Sequence, residues 1–309
     1  MKVAITGITG FVGRRLFYYL KSQGIDVVPF SRGAGSIDGA DYQIIDYADK
    51  ARLQTQLVGV DAIVHLGGLA HKVDEDYGIE DYIAANTFNT LVLAKASRDA
   101  QVKRFIFASS IAVNGADTND RQPFLEEDIP NPVTYYGQSK LMAEDGIKDI
   151  LKNSSTDFVI LRPTLIYGPD CPGNFQTLLR LVSAIRILPF GSLEKRKSML
   201  YIENFLDAIF CSLRSSGAAN QIFILGDSEA LTLKEIIDIL MIELHGIKAL
   251  NFSLNPSILK LFPRIIGKQE QWQKFNAQLE VNSDKFIRIN HWQPPYNARE
   301  GPKQTAKGI

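Results

Sequence analysis

The sequence has little cysteine, no excess of charge of either sign and no long hydrophobic run. Its two cysteines, Cys171 and Cys211, cannot build a disulfide framework and are typical of a reducing compartment. Lys plus Arg equals Asp plus Glu at 34 each, so the charge balance favours neither nucleic-acid binding nor a membrane surface. No apolar run is long enough to span a bilayer, and the N-terminal residues lack the features of a signal peptide. We therefore expect a cytoplasmic protein with no transmembrane segment.

Histidine is also scarce, with four residues in the whole chain. His245 and His291 have no partner at a spacing that metal ligands use, so the sequence predicts no metal site. The chain is nevertheless rich enough in apolar residues for a large core, since 45% of its 309 residues are hydrophobic. These totals indicate a globular protein of one large domain or two modest ones.

A glycine-rich turn follows the first strand-like segment. Residues 3–6 are short and apolar, and Gly7, Gly10 and Gly13 come next, before a helical pattern. Gly7 would permit the tight turn, Gly10 would let the backbone approach a pyrophosphate, and Gly13 would allow close packing of the helix. Strand, turn and helix in this order predict a cradle for the phosphates of a dinucleotide.

Strand-like and helical segments alternate through the first half of the chain. Further strands are predicted at residues 26–30, 42–46, 61–66 and 104–108. This alternation predicts an α/β fold, a Rossmann-type doubly wound parallel sheet that binds its ligands at the carboxyl ends of the strands. We expect residues 1–165 to form the NAD(P)-binding domain. Residues 166–309 would form mainly a smaller α/β substrate-binding region, with some segments returning to the Rossmann sheet.

The end of the second strand bears on the choice of cofactor. An acidic residue there would bind the ribose 2′-hydroxyl of NAD, whereas arginine accommodates the 2′-phosphate of NADP. Ser31 and Arg32 occupy this place, which favours NADP(H) and leaves NAD(H) possible. The alternative is that Arg32 is only a solvated loop charge. Asp46, at the end of the third strand, would contact an adenine amino group.

Tyr136 and Lys140 are four residues apart in a predicted helix, which Asn131 or Thr134 would cap. This spacing places both side chains on one helix face. A phenol with a pKa of about 10 is a poor base, but a nearby ammonium favours its phenolate. The alternative is a helix with a buried tyrosine and a solvated lysine. Ser110 follows the fifth strand and would lie beside this helix.

Together these stretches resemble the extended short-chain dehydrogenases, and specifically the nucleotide-sugar epimerase/dehydratase family. The matching segments are residues 7–13, 65–68, 109–115, 136–140 and 161–169. The resemblance implies a catalytic triad in which Tyr136 exchanges a proton with a sugar hydroxyl and Ser110 hydrogen-bonds the same oxygen. In the same triad Lys140 would hold the nicotinamide ribose and lower the pKa of Tyr136.

The resemblance also implies which residues contact the two ligands. Those expected to bind the cofactor are Gly7, Gly10, Phe11, Val12, Gly13, Ser31, Arg32, Asp46, Tyr47, Leu66, Gly67, Gly68, Asn86, Ala108, Tyr136, Lys140 and Pro163. Those expected to bind the substrate are Ser110, Asn174, Phe190, Arg196 and Lys197. Core packing is the alternative for Phe190, and a solvated turn is the alternative for Arg196 and Lys197.

Three departures from the family pattern restrict the possible reactions and substrates. Ile111 and Ala112 stand where 4,6-dehydratases carry an Asp-Glu pair, so elimination of water lacks its acid and base. Leu165 stands where UDP-galactose 4-epimerases often have an asparagine that contacts substrate, and Asn114 replaces the usual tyrosine. The pattern therefore argues against a dehydratase and against the ordinary UDP-glucose substrate.

Two activities and one binding role follow from the resemblance. The favoured activity is NADPH-dependent reduction of a UDP-4-keto-6-deoxy-N-acetylhexosamine in the biosynthesis of surface polysaccharide such as O-antigen. The alternative is a UDP-sugar 4-epimerase, acting on UDP-glucose or UDP-N-acetylglucosamine, that keeps NAD tightly bound. A non-catalytic NADP sensor is disfavoured because Ser110, Tyr136 and Lys140 are all present.

Two features concern association with partners. The family's analogy suggests a homodimer through the helices at residues 86–100 and 136–150. The apolar stretch at 257–266 would be a dimer face, a membrane contact or a helix packed on the small domain.

Overall fold

A computed structural model describes residues 1–69, 77–185, 187–188, 194–246, 250–251 and 277–308, with the backbone alone at 187–188 and 250–251. The elements of its first half, in chain order, are β1 (Lys2–Thr6), α1 (Phe11–Ser22), β2 (Asp26–Ser31), β3 (Ser36–Ile37), β4 (Ala40–Asp41), β5 (Gln43–Ile44), α2 (Lys50–Gln56), β6 (Ala62–His65), α3 (Ile79–Tyr82), a π-helical stretch (Ile83–Phe88), α4 (Asn89–Asp99), β7 (Arg104–Ala108), a 3₁₀ turn (Ile111–Val113), α5 (Tyr135–Leu151) and β8 (Asp157–Pro163).

The second half is built from shorter strands and several helices. These are β9 (Leu165–Tyr167), α6 (Asn174–Ala184), β10 (Ile187–Leu188), β11 (Arg196–Lys197), β12 (Met199–Tyr201), α7 (Ile202–Arg214), a 3₁₀ turn (Ser216–Ala218), β13 (Gln221–Leu225), β14 (Leu231–Thr232), α8 (Leu233–His245), β15 (Leu250–Asn251), α9 (Asp284–Asn290) and α10 (Glu300–Lys307). The described helices include none that is both long enough and apolar enough to cross a bilayer.

Seven parallel strands form the central sheet in the order β13-β8-β7-β6-β1-β2-β5. The chain winds outward from β1 in both directions, so the strand order reverses between β1 and β6. In open sheets of this kind, ligands bind beside the carboxyl ends of the strands at the reversal. The structure thus confirms the predicted Rossmann-type fold, although the third predicted strand is reduced to the two residues of β5.

Alternate residues of each central strand enter cores on opposite faces of the sheet. Val3 and Ile5 pack into one buried cluster, with α1 and the second half of the chain. Ala4 packs into the other, with α2, α4 and α5. This arrangement follows from the twofold side-chain period of a strand, and burial on both faces explains why these strands read as continuous apolar runs.

The second half adds one strand to the central sheet, and a buried carboxylate just after that strand binds other elements of the second half. β13 pairs with β8 along its whole length at the sheet edge. Two residues after β13, Asp227 accepts hydrogen bonds from the Tyr167 hydroxyl at 3.1 Å and from Asn204 Nδ2 at 2.8 Å. The backbone amide of Tyr201 donates to the same carboxylate at 3.0 Å. The boundary proposed at residue 165 stays a prediction.

Helix α5 begins one residue after Thr134, whose side chain accepts from the Gly137 amide at 3.1 Å. Thr134 is therefore the cap, and Asn131 lies outside the helix. The cap fixes where α5 starts and so which residues of the helix face the sheet. The helical run predicted at 86–100 begins earlier, because α3, the π-helical stretch and α4 follow one another without a break.

Candidate active site

The glycine turn after β1 is too tight for any side chain at two of its positions. Gly7 has a φ of +75°, and a Cβ there would lie 2.8 Å from the Gly67 amide nitrogen. A Cβ on Gly13 would lie 2.2 Å from the Gly7 carbonyl oxygen. Gly10 is the N-cap of α1 and has no side chain with which to bond the first amides of the helix. The turn and helix terminus together fit the phosphates of a dinucleotide.

A cleft of about 420 Å³ opens beside this turn, at the carboxyl ends of the strands around the reversal. Its lining includes eight residues predicted to bind the cofactor: Gly7, Gly10, Ser31, Arg32, Tyr47, Leu66, Gly67 and Gly68. It also includes residues that sequence reasoning missed: Thr6, Ile8, Thr9, Phe30, Gly33, Ile45, Leu69, Ala85 and Asn89. Some of these residues adjoin the carboxyl ends of predicted strands, where ligands of such sheets bind, and the sequence could have indicated them. Ala85 and Asn89 carried no such sequence signal.

Other residues predicted to bind the cofactor lie around the cleft rather than in its lining. Phe11 and Val12 are half-buried in the first turn of α1, and Pro163 is buried at the end of β8. Asp46 is exposed, and its carboxylate accepts the Ala48 amide at 2.9 Å. Its predicted contact with adenine stays a prediction.

Asn86 joins the loop after β6 to the helix that carries Tyr136. Its side chain is fully buried. Its Oδ1 accepts the Leu69 amide at 2.6 Å, and its Nδ2 donates to the Leu69 carbonyl at 3.1 Å and to Ser139 Oγ at 3.0 Å. Asn86 therefore supports one wall of the cleft.

The structure brings Ser110, Tyr136 and Lys140 together. Ser110 lies near enough to Tyr136 to lower the pKa of its phenol, and the Ser110 hydroxyl oxygen accepts the Ala112 amide at 3.2 Å. Lys140 Nζ lies 5.9 Å from the centre of the Tyr136 ring and donates to the Ala108 carbonyl at 2.8 Å. Lys140 is only 4% exposed, so the alternative of a solvated lysine is wrong. Its Nζ lies close to Gly68, which places the cluster at the end of the cleft.

The electrostatics of this cluster differ from the sequence expectation. Burial raises the pKa of Tyr136, while the neighbouring Ser110 hydroxyl lowers it and the electrostatic interaction with Tyr82 raises it further. Burial lowers the pKa of Lys140 to about 8, and the Glu144 carboxylate opposes that change. The expectation that Lys140 lowers the pKa of Tyr136 is not met, because Tyr136 is desolvated and the ammonium is hydrogen-bonded to a backbone carbonyl. Tyr136 is therefore a proton donor at neutral pH.

The residues predicted to bind substrate are less closely grouped. Asn174 is exposed at the first position of α6, directly after Gly173. Arg196 is exposed, and its Nη1 donates to the Ala230 carbonyl at 2.8 Å. Lys197 is half-buried, and burial lowers its pKa to about 8. Phe190 and the stretch at 257–266 lie outside the described residues, and the substrate contacts stay predictions.

The histidine that precedes the cleft is a core residue. His65 is buried, and its two ring nitrogens hydrogen-bond the hydroxyls of Thr6 at 2.5 Å and Thr90 at 2.8 Å. Burial lowers its pKa to about 3, so the ring is neutral near pH 7. Among the residues that the structure describes, no group of three or more His, Cys, Asp or Glu side chains could hold a metal ion.

A scan against family models matches residues 3–226 to the NAD dependent epimerase/dehydratase family. The chain belongs to this family. Membership makes it an NAD(P)-dependent enzyme, which confirms the prediction drawn from the glycine turn and from Tyr136 and Lys140. The family resemblance stated from the sequence is likewise confirmed.

Relatives within the family match over nearly the whole chain. A UDP-glucose 4-epimerase of Vibrio cholerae is 34% identical over 312 aligned positions, which cover 99% of this chain and 95% of that protein. The crystal structure of a UDP-N-acetylglucosamine 4-epimerase from Bacillus cereus superposes with a TM-score of 0.80 at 20% identity, covering 99% of this chain and 98% of that one. A UDP-glucuronic acid 4-epimerase from Bacillus cereus, in complex with NAD, gives a TM-score of 0.77 at 20% identity, with 100% and 98% coverage.

Proposed function

We propose that this family member oxidises or reduces C4 of a nucleotide sugar, with a UDP-sugar as substrate. The observation that carries the proposal is the cluster of Ser110, Tyr136 and Lys140 at the end of the cleft. The names of the relatives support the substrate class, since those reported above are all UDP-sugar 4-epimerases. A non-catalytic sensor would have no use for a tyrosine, a serine and a buried lysine assembled in this way.

The chain's own residues supply proton transfer and orientation. A bound nicotinamide supplies hydride exchange with the sugar carbon. Tyr136 holds a proton near pH 7, because burial raises its pKa, and would give it to the C4 oxygen during reduction. Ser110 would hydrogen-bond the same oxygen and hold it in line with the phenol. Lys140 would place its ammonium beside the nicotinamide ribose, at the end of the cleft where Gly68 lies.

Reduction of a UDP-4-keto-6-deoxy-N-acetylhexosamine, for surface polysaccharide, is the activity that the cleft's own residues favour. The carboxyl end of β2 contributes Ser31, Arg32 and Gly33 to the lining, with no carboxylate among them. Arg32 lies near enough to Tyr47, which also lines the cleft, for its charge to oppose the effect of burial on the pKa of that phenol. A cation there fits a 2′-phosphate and thus NADPH, the reductant of a stoichiometric reductase.

A 4-epimerase is the second candidate, and the relatives favour it. The V. cholerae relative carries that name, and the structure of the B. cereus UDP-glucuronic acid 4-epimerase holds NAD. The comparisons lend no support to NADP over NAD. An epimerase would oxidise C4, let the ketone turn over and return the hydride to the other face. For this cycle Tyr136 would have to begin as the phenolate, take the proton of the C4 hydroxyl and then return it.

Denaturing the purified protein and identifying the released nucleotide tests the two candidates. Near-stoichiometric NAD would indicate a self-contained redox cycle and favour the epimerase. No nucleotide, or freely exchanging NADP(H), would favour the reductase. NADPH consumption with a UDP-4-keto-6-deoxy sugar, and interconversion of UDP-glucose or UDP-N-acetylglucosamine with the C4 epimer, are the two assays that follow. Absence of both activities would refute the proposed reaction.

Substitution of Arg32 tests the cofactor argument separately. We expect Arg32→Ala to weaken NADPH binding by roughly tenfold or more, since a charge-assisted contact to phosphate is lost, and to leave NADH binding nearly unchanged. Arg52→Ala, an exposed arginine on α2, is the matched control. Equal losses of affinity for NADPH and NADH, or no loss for either, would mean that Arg32 does not bind the 2′-phosphate.

A further inference from the structure

A buried ion pair lies one helical turn beyond Lys140. Glu144 of α5 is fully buried, and Arg162 of β8 is nearly so. Arg162 donates from Nε to one carboxylate oxygen at 3.0 Å and from Nη2 to the other at 2.6 Å. Desolvation offsets much of the attraction within such a pair, so it need not contribute net stability. The residues that hydrogen-bond to this pair indicate its role.

The ion pair forms hydrogen bonds with the residues before and after Ser110 in the chain. Ser109 Oγ donates to the Glu144 carboxylate at 2.5 Å, immediately before Ser110. Arg162 Nη1 donates to Asn114 Oδ1 at 3.0 Å, at the end of the 3₁₀ turn that Ser110 begins. Ser110 is therefore placed relative to α5, and so to Tyr136, by four side chains that are all buried.

The pair also contributes to the charged surroundings of Lys140. On α5, Lys140 is flanked by Tyr136 and Glu144, and from β6 it is faced by His65, which is neutral near pH 7. Arg162 on β8 reaches this region, and its charge is matched by the Glu144 carboxylate. Among these groups, Glu144 alone is a carboxylate, and its charge opposes the loss of the Lys140 proton.

We propose that Glu144 and Arg162 form a positioning unit for the reaction. Through Ser109 and Asn114 they hold the Ser110 segment against α5, and the Glu144 carboxylate keeps Lys140 in its ammonium form beside the cleft. The inference rests on the proposed function, because it assigns these residues a role through Ser110 and Lys140.

The test measures how cofactor binding and turnover depend on pH in Glu144→Gln. Loss of the carboxylate removes the charge that favours the ammonium, so Lys140 should lose its proton at a lower pH. We expect the alkaline decline of NADH or NADPH affinity, followed by nucleotide fluorescence, to move down by about 1 pH unit. The alkaline limb of kcat/KM should move in the same direction.

A second ion pair in the same sheet provides the matched control. Arg104 and Asp157 form a bidentate pair at 2.7 and 3.0 Å, at the amino ends of β7 and β8. Asp157→Asn should lower Tm and leave both pH profiles unchanged, because the pair lies at the opposite end of the strands from Lys140.

Two further variants keep the proposal testable if Glu144→Gln does not fold. Glu144→Gln with Arg162→Gln removes the carboxylate and the guanidinium together, so its pH profile should move downward by less than that of the single variant. Its kcat should still fall, because Ser109 and Asn114 lose their hydrogen-bond partners. Ser109→Ala removes one hydroxyl, and we expect kcat to fall roughly tenfold with KM and cofactor affinity little changed, since a positioned group is displaced.

The proposal is overturned if the variants lower Tm as Asp157→Asn does but leave the pH profiles and kcat at wild-type values. Failure of the proposed function is distinguishable from this result. A wild-type protein that converts no nucleotide sugar would refute the function, whereas the pH dependence of cofactor binding would still decide whether Glu144 supports Lys140.

Discussion

Lys140 Nζ donates a 2.8 Å hydrogen bond to the carbonyl oxygen of Ala108. This bond ties α5 to the end of β7, two residues before Ser110. Ser110 in turn lies near enough to Tyr136 of that helix to lower the pKa of its phenol. The triad is thus held between a buried strand and a long helix, and such rigid supports favour precise placement of reacting groups.

Removal of the Tyr136 hydroxyl should abolish most of the activity. In Tyr136→Phe the proton donor is lost while the ring still fills its half-buried site, so kcat should fall by about 10²- to 10⁴-fold. Cofactor affinity should persist, because the glycine turn is untouched. Steady-state kinetics and nucleotide titration check the two expectations.

Tyr135→Phe is the control for that variant, since Tyr135 is the adjacent residue on α5 and is exposed. Its activity should match the wild type. Turnover that survives in Tyr136→Phe would refute the assigned role of Tyr136.

A methyl group at Gly13 should damage the cofactor site. The added Cβ would lie 2.2 Å from the Gly7 carbonyl oxygen, a backbone atom that cannot move without opening the turn. We expect Gly13→Ala to weaken dinucleotide binding by at least about tenfold, since the phosphates rely on the placement of the turn. Isothermal titration with NAD and NADP measures the loss.

Gly24→Ala separates backbone strain from this clash. Gly24 lies just after α1 and has a φ of +73°, but a Cβ there would meet nothing within 4 Å. It should cost about 1 kcal/mol of stability and leave cofactor affinity unchanged. Equal effects of the two variants on binding would contradict the packing argument.

His65 should make the protein less stable in mild acid. Its pKa is lowered to about 3 in the folded state by burial, against 6.5 for the exposed group. Between those values the unfolded chain binds more protons, so stability decreases as the pH falls below about 6.5. The expected loss from this group is about 2 kcal/mol between pH 7 and pH 5.

Chemical denaturation of His65→Gln at both pH values isolates this contribution. The variant keeps hydrogen-bonding atoms near Thr6 and Thr90 but cannot titrate, so its pH dependence should be flatter than that of the wild type. His291→Gln, at an exposed histidine, should retain the wild-type dependence. A wild-type slope in His65→Gln would show that another group is responsible.

The homodimer inferred from the family stays a prediction, and α5 offers a way to test it. Met142 on α5 and Phe88 beside α4 are 46% and 55% exposed, on the helices expected to form the interface. Met142→Glu should convert dimers to monomers, as measured by light scattering, because burying an unpaired charge is costly. Ile242→Glu, at a residue of α8 that is 44% exposed, should not. A monomeric wild type, or a dimeric Met142→Glu, would contradict the prediction.

Features that depend on short-range spacing were predictable from the sequence. The strand, glycine turn and helix at the start of the chain are such a case. The cap at Thr134 is another, and the structure shows its side chain accepting the Gly137 amide. The i, i+4 placement of Tyr136 and Lys140 also followed from spacing, because the pitch of a helix brings such residues to one face.

Other features depend on contacts between segments that are distant in the sequence. The burial of Lys140, the pairing of Glu144 with Arg162 and the return of β13 to the sheet edge all follow from strand order and register. Local spacing indicated a tyrosine near an ammonium, but the pKa of Tyr136 rises because the assembled sheet and helices remove water from it. Desolvation is a property of the whole packed site, so only the tertiary structure could decide it.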